Sequence, residues 1–514
     1  MKSYDEYAWA ITTQIGDDWP RLLWTDEDIY NDMKTILSDK FSHLKCASFE
    51  HLRTGGFNVC FKMVFTNQFG AIIRLPLPGS IMFPEEKVRN EVSIMRFLME
   101  KSSDKIPIPV PSVFRCEETK RSPPGLGPFI IMDYIRHVGS LEDLLEMPGR
   151  QKGERPVLNP DLILNSSRLE ALFGKVAYIL LSLSTLCLSR IGSVHKNEDS
   201  TWVVLHRPLS YSMNEIVQLG TLPQSSLPTI TYDTTSSYIK DLAELHILHL
   251  KSQRNEATID LDSIDLDADL NMLADEYRRK FVARFLFRKL AEDEEQRRKW
   301  ICNDNGPFPV WCDDLRPENV LVEEAENIVG MVDWEFSYSA PVEFSNAPPC
   351  WLVLQKPEDW PEGLDDWCKK YEKALQIFLR AMQKSEDEAI RNKQLVESQR
   401  LSSRMRLSWE SGSFWIMYAA RNNFAFDKIY WEKIDQRFYG STTHQTDNIC
   451  DNWRMRLHLL EPGEWEVIEG YVRSKLEEKQ EEKQEQKLTW NAGQYTEQWI
   501  TQMRKKKLER EKGN

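Results

Sequence analysis

The chain has 514 residues, too many for one ordinary domain, so the length prior gives roughly three domains, or fewer with a large helical lobe. With 66 basic and 80 acidic side chains the formal charge is −14, which argues against a general nucleic-acid binder and leaves a cationic small substrate open. Hydrophobic residues make up 41% and Trp occurs 17 times, enough for a sizeable core and too much for wholesale disorder.

The nine cysteines are odd in number and form no CxxC pair, so neither a disulfide framework nor a structural zinc site is expected. The opening residues lack an apolar run and carry Asp5 and Glu6, so no signal peptide is expected. The longest apolar stretch, 176–188, is interrupted by Ser182, Ser184 and Thr185 and is too short to span a bilayer. A cytoplasmic protein with no membrane partner follows. The terminal RKKKLEREK has the composition of a nuclear-import patch, although a soluble tail is the expected reading.

Residues 1–45 read as a helical extension. Thr25 and Asp28 resemble a capping box, and Ile29, Met33, Ile36, Leu37 and Phe41 recur at helical spacing. Residues 46–138 change to β texture: runs 59–65 and 71–75 flank Thr66-Asn67-Gln68 and Gly70 as a hairpin. Pro84 opens a helix, where its missing N–H costs nothing. The prolines of 106–111 predict an extended connector leading to a buried strand at 129–132.

Residues 139–474 read as mainly helical. Ser167 and Glu170 predict a second capping box, and Tyr277, Phe281, Val282, Phe285, Leu286 and Leu290 draw one apolar stripe. The acidic stretch 259–270 lacks the glycine and closing glutamate of a calcium loop, so a solvated loop is expected. In 475–514 the row Lys475, Lys479, Lys483 and Lys487 runs beside Glu477, Glu481 and Glu485. It predicts a charged, solvated helix or a disordered tail.

An island of β character at 308–338 carries the chemistry. FPVWCDDLRPENVLV (308–322) and NIVGMVDWE (327–335) read as strand, Asp-bearing loop, strand, turn, strand and a second Asp. Folding back would bring Asp314, Asn319 and Asp333 to one end of the sheet. Phosphoryl transfer needs such a set: one carboxylate to orient an acceptor hydroxyl and take its proton, and a carboxylate with a carboxamide to hold Mg²⁺ against the phosphates. The Asp-x₄-Asn spacing selects Asp314 over Asp313.

DLRPEN (314–319) is close to the catalytic-loop wording of protein kinases, and VDWE stands in place of DFG. With APPCWLVLQKPEDW (347–360), SGSFWIMYAARNNFAFDKIYWEKIDQRFYG (411–440), RPLSYSMNEIVQLG (207–220) and residues 248–255, the chain resembles the aminoglycoside phosphotransferase (kinase-like) family in its fungal branch. The resemblance covers most of 46–440. It implies an α+β, protein-kinase-like bilobal fold, with a small β-rich N-lobe (46–138) holding ATP and a large, mainly helical C-lobe (139–474) holding the acceptor.

Further positions follow from it. RTGGFN (53–58) would be the phosphate-covering turn, with Gly55, Gly56, Phe57 and Asn58 at the nucleotide; adjacent glycines let backbone N–H groups approach an anion closely. Glu91 falls on the buried face of the helix after Pro84, with Val88, Val92, Met95 and Leu98, where a carboxylate needs a cation. Strand 71–75 offers Arg74, where the family commonly has Lys; Arg keeps the charge with a different geometry. Asp133, Tyr134 and Ile135 would form the inter-lobe hinge, whose backbone bonds adenine. Arg316 is placed to contact the transferring phosphoryl group. Cys312 stands where the family usually has His, and a small buried hydrophobe is the expected reading.

Asp333 is followed within ten residues by Ala340-Pro341, which leaves no room for a protein-kinase activation segment. The expected activity is therefore ATP- and Mg²⁺-dependent phosphorylation of a small-molecule hydroxyl. Most of Trp351, Trp360, Trp367, Trp409, Trp415 and Trp431 are expected to build core, with an aromatic cage for an aminated acceptor as the lesser option. The alternative function is a non-catalytic pseudokinase, to which Arg74, Cys312 and the short glycine loop point.

Overall fold

A computed structural model describes residues 4–102, 108–123, 125–151, 153–254, 266–440 and 449–481. Two helices lead the chain, α1 (Glu6–Thr25) and α2 (Glu27–Lys40). The Asp5 carboxylate accepts from the Ala8 N–H at 2.9 Å and the Asp26 carboxylate from the Ile29 N–H at 3.3 Å, each satisfying a donor that a helix start leaves open. This corrects the expected Thr25 cap. Thr25 ends α1, its hydroxyl donates back to the Arg21 carbonyl at 2.9 Å, and Asp26 caps in its place.

The N-lobe sheet runs β1 (Cys46–Thr54), β2 (Asn58–Phe65), β3 (Gly70–Pro76), β4 (Val113–Glu117) and β5 (Phe129–Asp133), in the order β1-β2-β3-β5-β4. All pairs are antiparallel, and the expected hairpin has Val59 opposite Leu75 and Met63 opposite Ala71. The expected helix is α3, Pro84–Lys101, with Pro84 in its first turn. Of the proline connector, 108–111 form no strand, while Ile106 and Pro107 lie outside the described residues.

Period-two alternation sorts the sheet's two faces. Phe61, Met63, Ile73, Leu75 and Ile131 join Trp19, Leu23, Met33 and Leu37 of the leading helices in one core. Ile72, Ile130 and Met132 point the other way, into a core shared with Val88, Val92 and the C-lobe. Both faces are therefore covered and β3 is buried along its whole length. Arg74, two residues from Ile72, lies on the inner face.

The C-lobe is built on long helices, among them Ser166–Thr185, Thr235–Ser252, Leu266–Glu292 and Leu364–Arg391. The first starts at Ser166 behind Asn165 with no side-chain cap, so the capping box expected at Ser167 and Glu170 is corrected; Glu170 pairs instead with Arg380 at 3.2 Å. The β island forms strands Phe308–Cys312, Val320–Val322, Ile328–Met331 and Ser337–Ser339. Val320–Val322 pairs with both Ile328–Met331 and Gly139–Ser140, tying the chemical segment to the chain just beyond the hinge.

Helix Pro462–Glu481 packs on Leu266–Glu292 and buries Ile468 and Val472. Lys475, next on that stripe, is only 3% exposed, and its ammonium donates to the Gln253 carbonyl at 2.6 Å. The solvated tail expected from 475 therefore starts too early: the Lys475 stem is long enough to bury while its charge finds a carbonyl. Most of the acidic stretch 259–270, and residues 482–514 with the basic run, lie outside the described residues. None of the described helices is long and apolar enough to cross a membrane.

Candidate active site

Strand Phe308–Cys312 delivers two neighbouring carboxylates with different surroundings. Asp313 is held by the Trp311 indole N–H at 2.7 Å and the Tyr211 backbone N–H at 3.1 Å, with Arg421 at 3.5 Å. Asp314 is 12% exposed at its side chain. The Asn319 amide donates to its backbone carbonyl at 2.8 Å and to its carboxylate at 3.2 Å, and Arg316 lies 3.3 Å away. Burial above all pushes its carboxyl up to about 7; Glu335 and Asp333 add to this, while Arg316 and Asn319 oppose it. A carboxylate that titrates near neutral pH, beside an amide that fixes its orientation, suits a general base.

Asp333 sits at the end of strand Ile328–Met331 with φ +61°, an uncommon conformation for a side chain with a Cβ. Its carboxylate is 2.7 Å from Arg74, which also reaches Glu91 at 3.0 Å and Glu335 at 3.1 Å. Lys87, one turn before Glu91 on α3, pairs with Glu91 at 2.9 Å and Glu335 at 2.6 Å. Asn58 bridges the group, accepting from Lys87 at 2.7 Å and donating to Glu335 at 2.9 Å. Burial disfavours charge on Glu335, but Lys87 and Arg74 outweigh it and hold the carboxyl below its ordinary range.

Lys87 and Glu335 escape the sequence reading. A Lys–Glu pair at i, i+4 normally marks a helix surface, whereas here both residues are buried among charges that arrive from distant segments. Two cations meet three carboxylates, and Asp333, 34% exposed, is the most open of the five. Among the described residues no cluster of three Asp, Glu, His or Cys forms a closed cage for a metal. The available donors are oxygens of Asp314, Asn319 and Asp333 beside a surplus negative charge, a hard and incomplete set that suits Mg²⁺ sharing its shell with phosphates and water.

A cavity of about 310 Å³ opens between the lobes in front of this network. Gly55, Gly56, Phe57, Asn58, Arg74, Asp133, Tyr134 and Ile135 line it with Asp314, Arg316 and Asp333; Glu91 stays behind Arg74, and Asn319 behind Asp314. A Cβ on Gly56 would meet nothing within 4 Å, so that backbone is open to a ligand. Phe57 closes edge-on against Tyr211 and Phe336, each 5.5 Å between ring centres, and Arg53 pairs with Glu318, pinning the glycine turn to the C-lobe.

Where the chain leaves β5, the Asp133 N–H bonds the Ser112 carbonyl at 2.9 Å and the Tyr134 N–H bonds the Gly70 carbonyl at 3.1 Å. Among the described residues that leaves the Ile135 N–H without a partner. Gly330 lies beneath it, and a Cβ there would come within 2.4 Å of the Ile135 Cδ1, so the Ile135 side chain would have to shift.

A second cavity, about 470 Å³, lies on the C-lobe side, and Asp314 and Arg316 wall it too. Among the described residues its only tryptophan is Trp351. Trp360, Trp367, Trp415 and Trp431 are buried, and Trp367, Trp409 and Trp415 pack with Tyr371 and Phe414. They build core, and among the described residues they form no cage around this cavity. Cys312 is 4% exposed, and burial pushes its thiol well above the usual range, so it acts as a small apolar filler.

No family model matches the chain and no curated protein matches it. Solved structures do. The chain is similar to small-molecule phosphotransferases. The aminoglycoside phosphotransferase APH(4)-Ia is 15% identical, covering 78% of this chain and 98% of its own, with a TM-score of 0.38. A macrolide 2'-phosphotransferase type I is 11% identical over 80% and 97%, TM-score 0.35. A putative fructosamine-3-kinase from Thermobifida fusca YX-ER1 is 10% identical over 79% and 97%, TM-score 0.34. The likeness is distant, and the assignments above rest on the geometry of this chain.

Proposed function

We propose that this protein transfers the γ-phosphoryl group of ATP to a hydroxyl of a small molecule. One observation carries the reading: Asp314 and Arg316 form a wall shared by two cavities. Nucleotide in the first and acceptor in the second would meet at that wall, as an in-line transfer requires.

The roles follow from position. The Ile135 N–H bonds the nucleobase, and the turn at Gly55 and Gly56 covers the phosphates. Arg74, held by Glu91 and Glu335, turns one N–H from Asp333 to a phosphate oxygen. Asn319 and Asp333 would hold Mg²⁺, which supplies neutralisation of phosphate charge when bound. The Asp314 carboxylate accepts the acceptor's hydroxyl proton while the new O–P bond forms and the bond to the leaving ADP oxygen breaks. Arg316 steadies charge on the group in transit.

The non-catalytic alternative is favoured by one feature: Arg74 is bonded to Asp333, so the metal-holding carboxylate is already engaged. Incubating the chain with γ-labelled ATP, Mg²⁺ and a metabolite extract separates the two. Label in a small molecule with wild type and none with Asp314→Asn supports transfer. No labelled product, with ATP bound, supports the alternative.

A further inference from the structure

The acceptor cavity holds a cation that the transfer chemistry does not use. Lys356 lines it, with its ammonium 5.4 Å above the Tyr211 ring. Among the described residues that ammonium makes no hydrogen bond and no ion pair within 4 Å. Burial works against its charge, but Tyr211, Glu358 and Glu215 outweigh this from beyond ion-pair distance and raise its pKa. It therefore stays protonated, with its donors unspent.

The other charges in this wall are largely committed to one another. Arg421 serves Asp313, Arg150 pairs with Glu142 at 3.3 Å, and Glu318 is taken by Arg53 and Arg316. Arg155, exposed at the edge, donates only to the Asp359 backbone carbonyl at 2.7 Å. Once Asp314 is assigned to the acceptor hydroxyl, Lys356 and Arg155 face one uncommitted carboxylate, Asp359. The lining carries five acidic and five basic side chains, so what sets Lys356 apart is its unspent donors and not a net charge.

Tyr211 ties this cation to the chemistry, because its backbone N–H donates to Asp313, the neighbour of Asp314. Beyond Lys356 the cavity continues past Cys350, Trp351 and Tyr418, which it shares with a smaller apolar recess of about 70 Å³. The site thus offers a base, a cation and an apolar end.

We infer that the acceptor is a hydroxylated carboxylic acid with an apolar body, and that Lys356 binds its carboxylate. This rests on the phosphotransferase reading and deepens it. The product is a phosphate ester with the carboxylate intact, alongside ADP.

The test uses 3-phenyllactate, its neutral amide and phenylalaninol, three hydroxyl compounds of similar size that differ in charge. Transfer from γ-labelled ATP and thermal stabilisation are both read, in wild type and Lys356→Gln. The expected result is at least a roughly tenfold preference for phenyllactate over the amide and amine, lost in Lys356→Gln while ATP–Mg²⁺ stabilisation stays unchanged. Equal or better use of the amine, or a preference that survives Lys356→Gln, overturns the assignment. Where none of the three is phosphorylated, the binding arm decides: stabilisation by phenyllactate that needs Lys356 supports the anion site, and its absence counts against it. Phenyllactate binding without ATP binding would keep the anion site and sink the phosphotransferase reading. ATP-dependent transfer to the amine would do the reverse.

Discussion

On the side of Asp314 proposed for the nucleotide, the charges come from three separate segments and neutralise one another almost completely within a buried cluster. On the side proposed for the acceptor, within the same wall, Lys356 and Arg155 have no carboxylate partner within 4 Å among the described residues. The first arrangement is part of the fold, since removing any member gives up ion pairs formed largely out of water. The second contributes little to folding and is free to be specified by whatever binds. Substitutions on the two sides should therefore separate, with those at the network moving stability and those at the acceptor cavity moving selectivity.

The sharpest break comes at the shared wall. Asp314→Asn should lower transfer by about 10²–10⁴-fold, the usual contribution of a positioned base, while nucleotide-induced stabilisation persists. Within the network, Glu335→Ala removes the carboxylate that both Arg74 and Lys87 contact. It should cost about 1.5–3 kcal/mol in urea unfolding, because both cations lose a charged hydrogen-bond partner while each keeps Glu91.

The pH dependence follows from the same carboxylate. Asp314 titrates at about 7 and must be ionised to accept a proton, so transfer should rise about tenfold per pH unit below 7 and level off above it. The folded value lies above the ordinary 3.8, so the folded chain binds this proton more tightly than the unfolded chain does. Stability of the ligand-free chain should fall as pH rises from about 4 to about 7, and Asp314→Asn should remove that part of the loss.

Gly330→Ala, which displaces the end of the Ile135 side chain, should cost about 1 kcal/mol in unfolding and weaken nucleotide binding more than acceptor binding. Lys356→Gln should change unfolding by less than about 0.5 kcal/mol. A large loss there would erase the contrast between the two sides.

How much of this is legible in the chain depends on how far apart the cooperating residues lie. Asp314, Asn319 and Asp333 fall within twenty residues, and their spacing alone suggests that they converge. The Arg74–Glu91 pair is legible because a glutamate on an apolar helix face demands a cation. Lys87 and Glu335 are not, since local pattern assigns one to the surface and gives the other no partner. The acceptor cavity gathers Arg155, Tyr211, Asp314, Trp351, Lys356 and Arg421, and no spacing rule joins them. The tryptophans are legible in bulk: so many apolar rings in a helical region are expected to be mostly core, and their burial and mutual packing agree. The leading helices show a milder failure, in which Thr25 and Asp26 both offer cap chemistry and only the turn geometry selects Asp26.

The most direct test of the central claim is thermal melting of the full chain with ATP, with and without Mg²⁺, in wild type, Asp314→Asn and Asp333→Asn. Nucleotide at about a hundred times its dissociation constant should add roughly 2.7 kcal/mol of apparent stability. The account predicts that wild type and Asp314→Asn keep the Mg²⁺-dependent part and that Asp333→Asn loses it. No stabilisation by any nucleotide, or a Mg²⁺ effect that disappears with Asp314→Asn and survives Asp333→Asn, would contradict it.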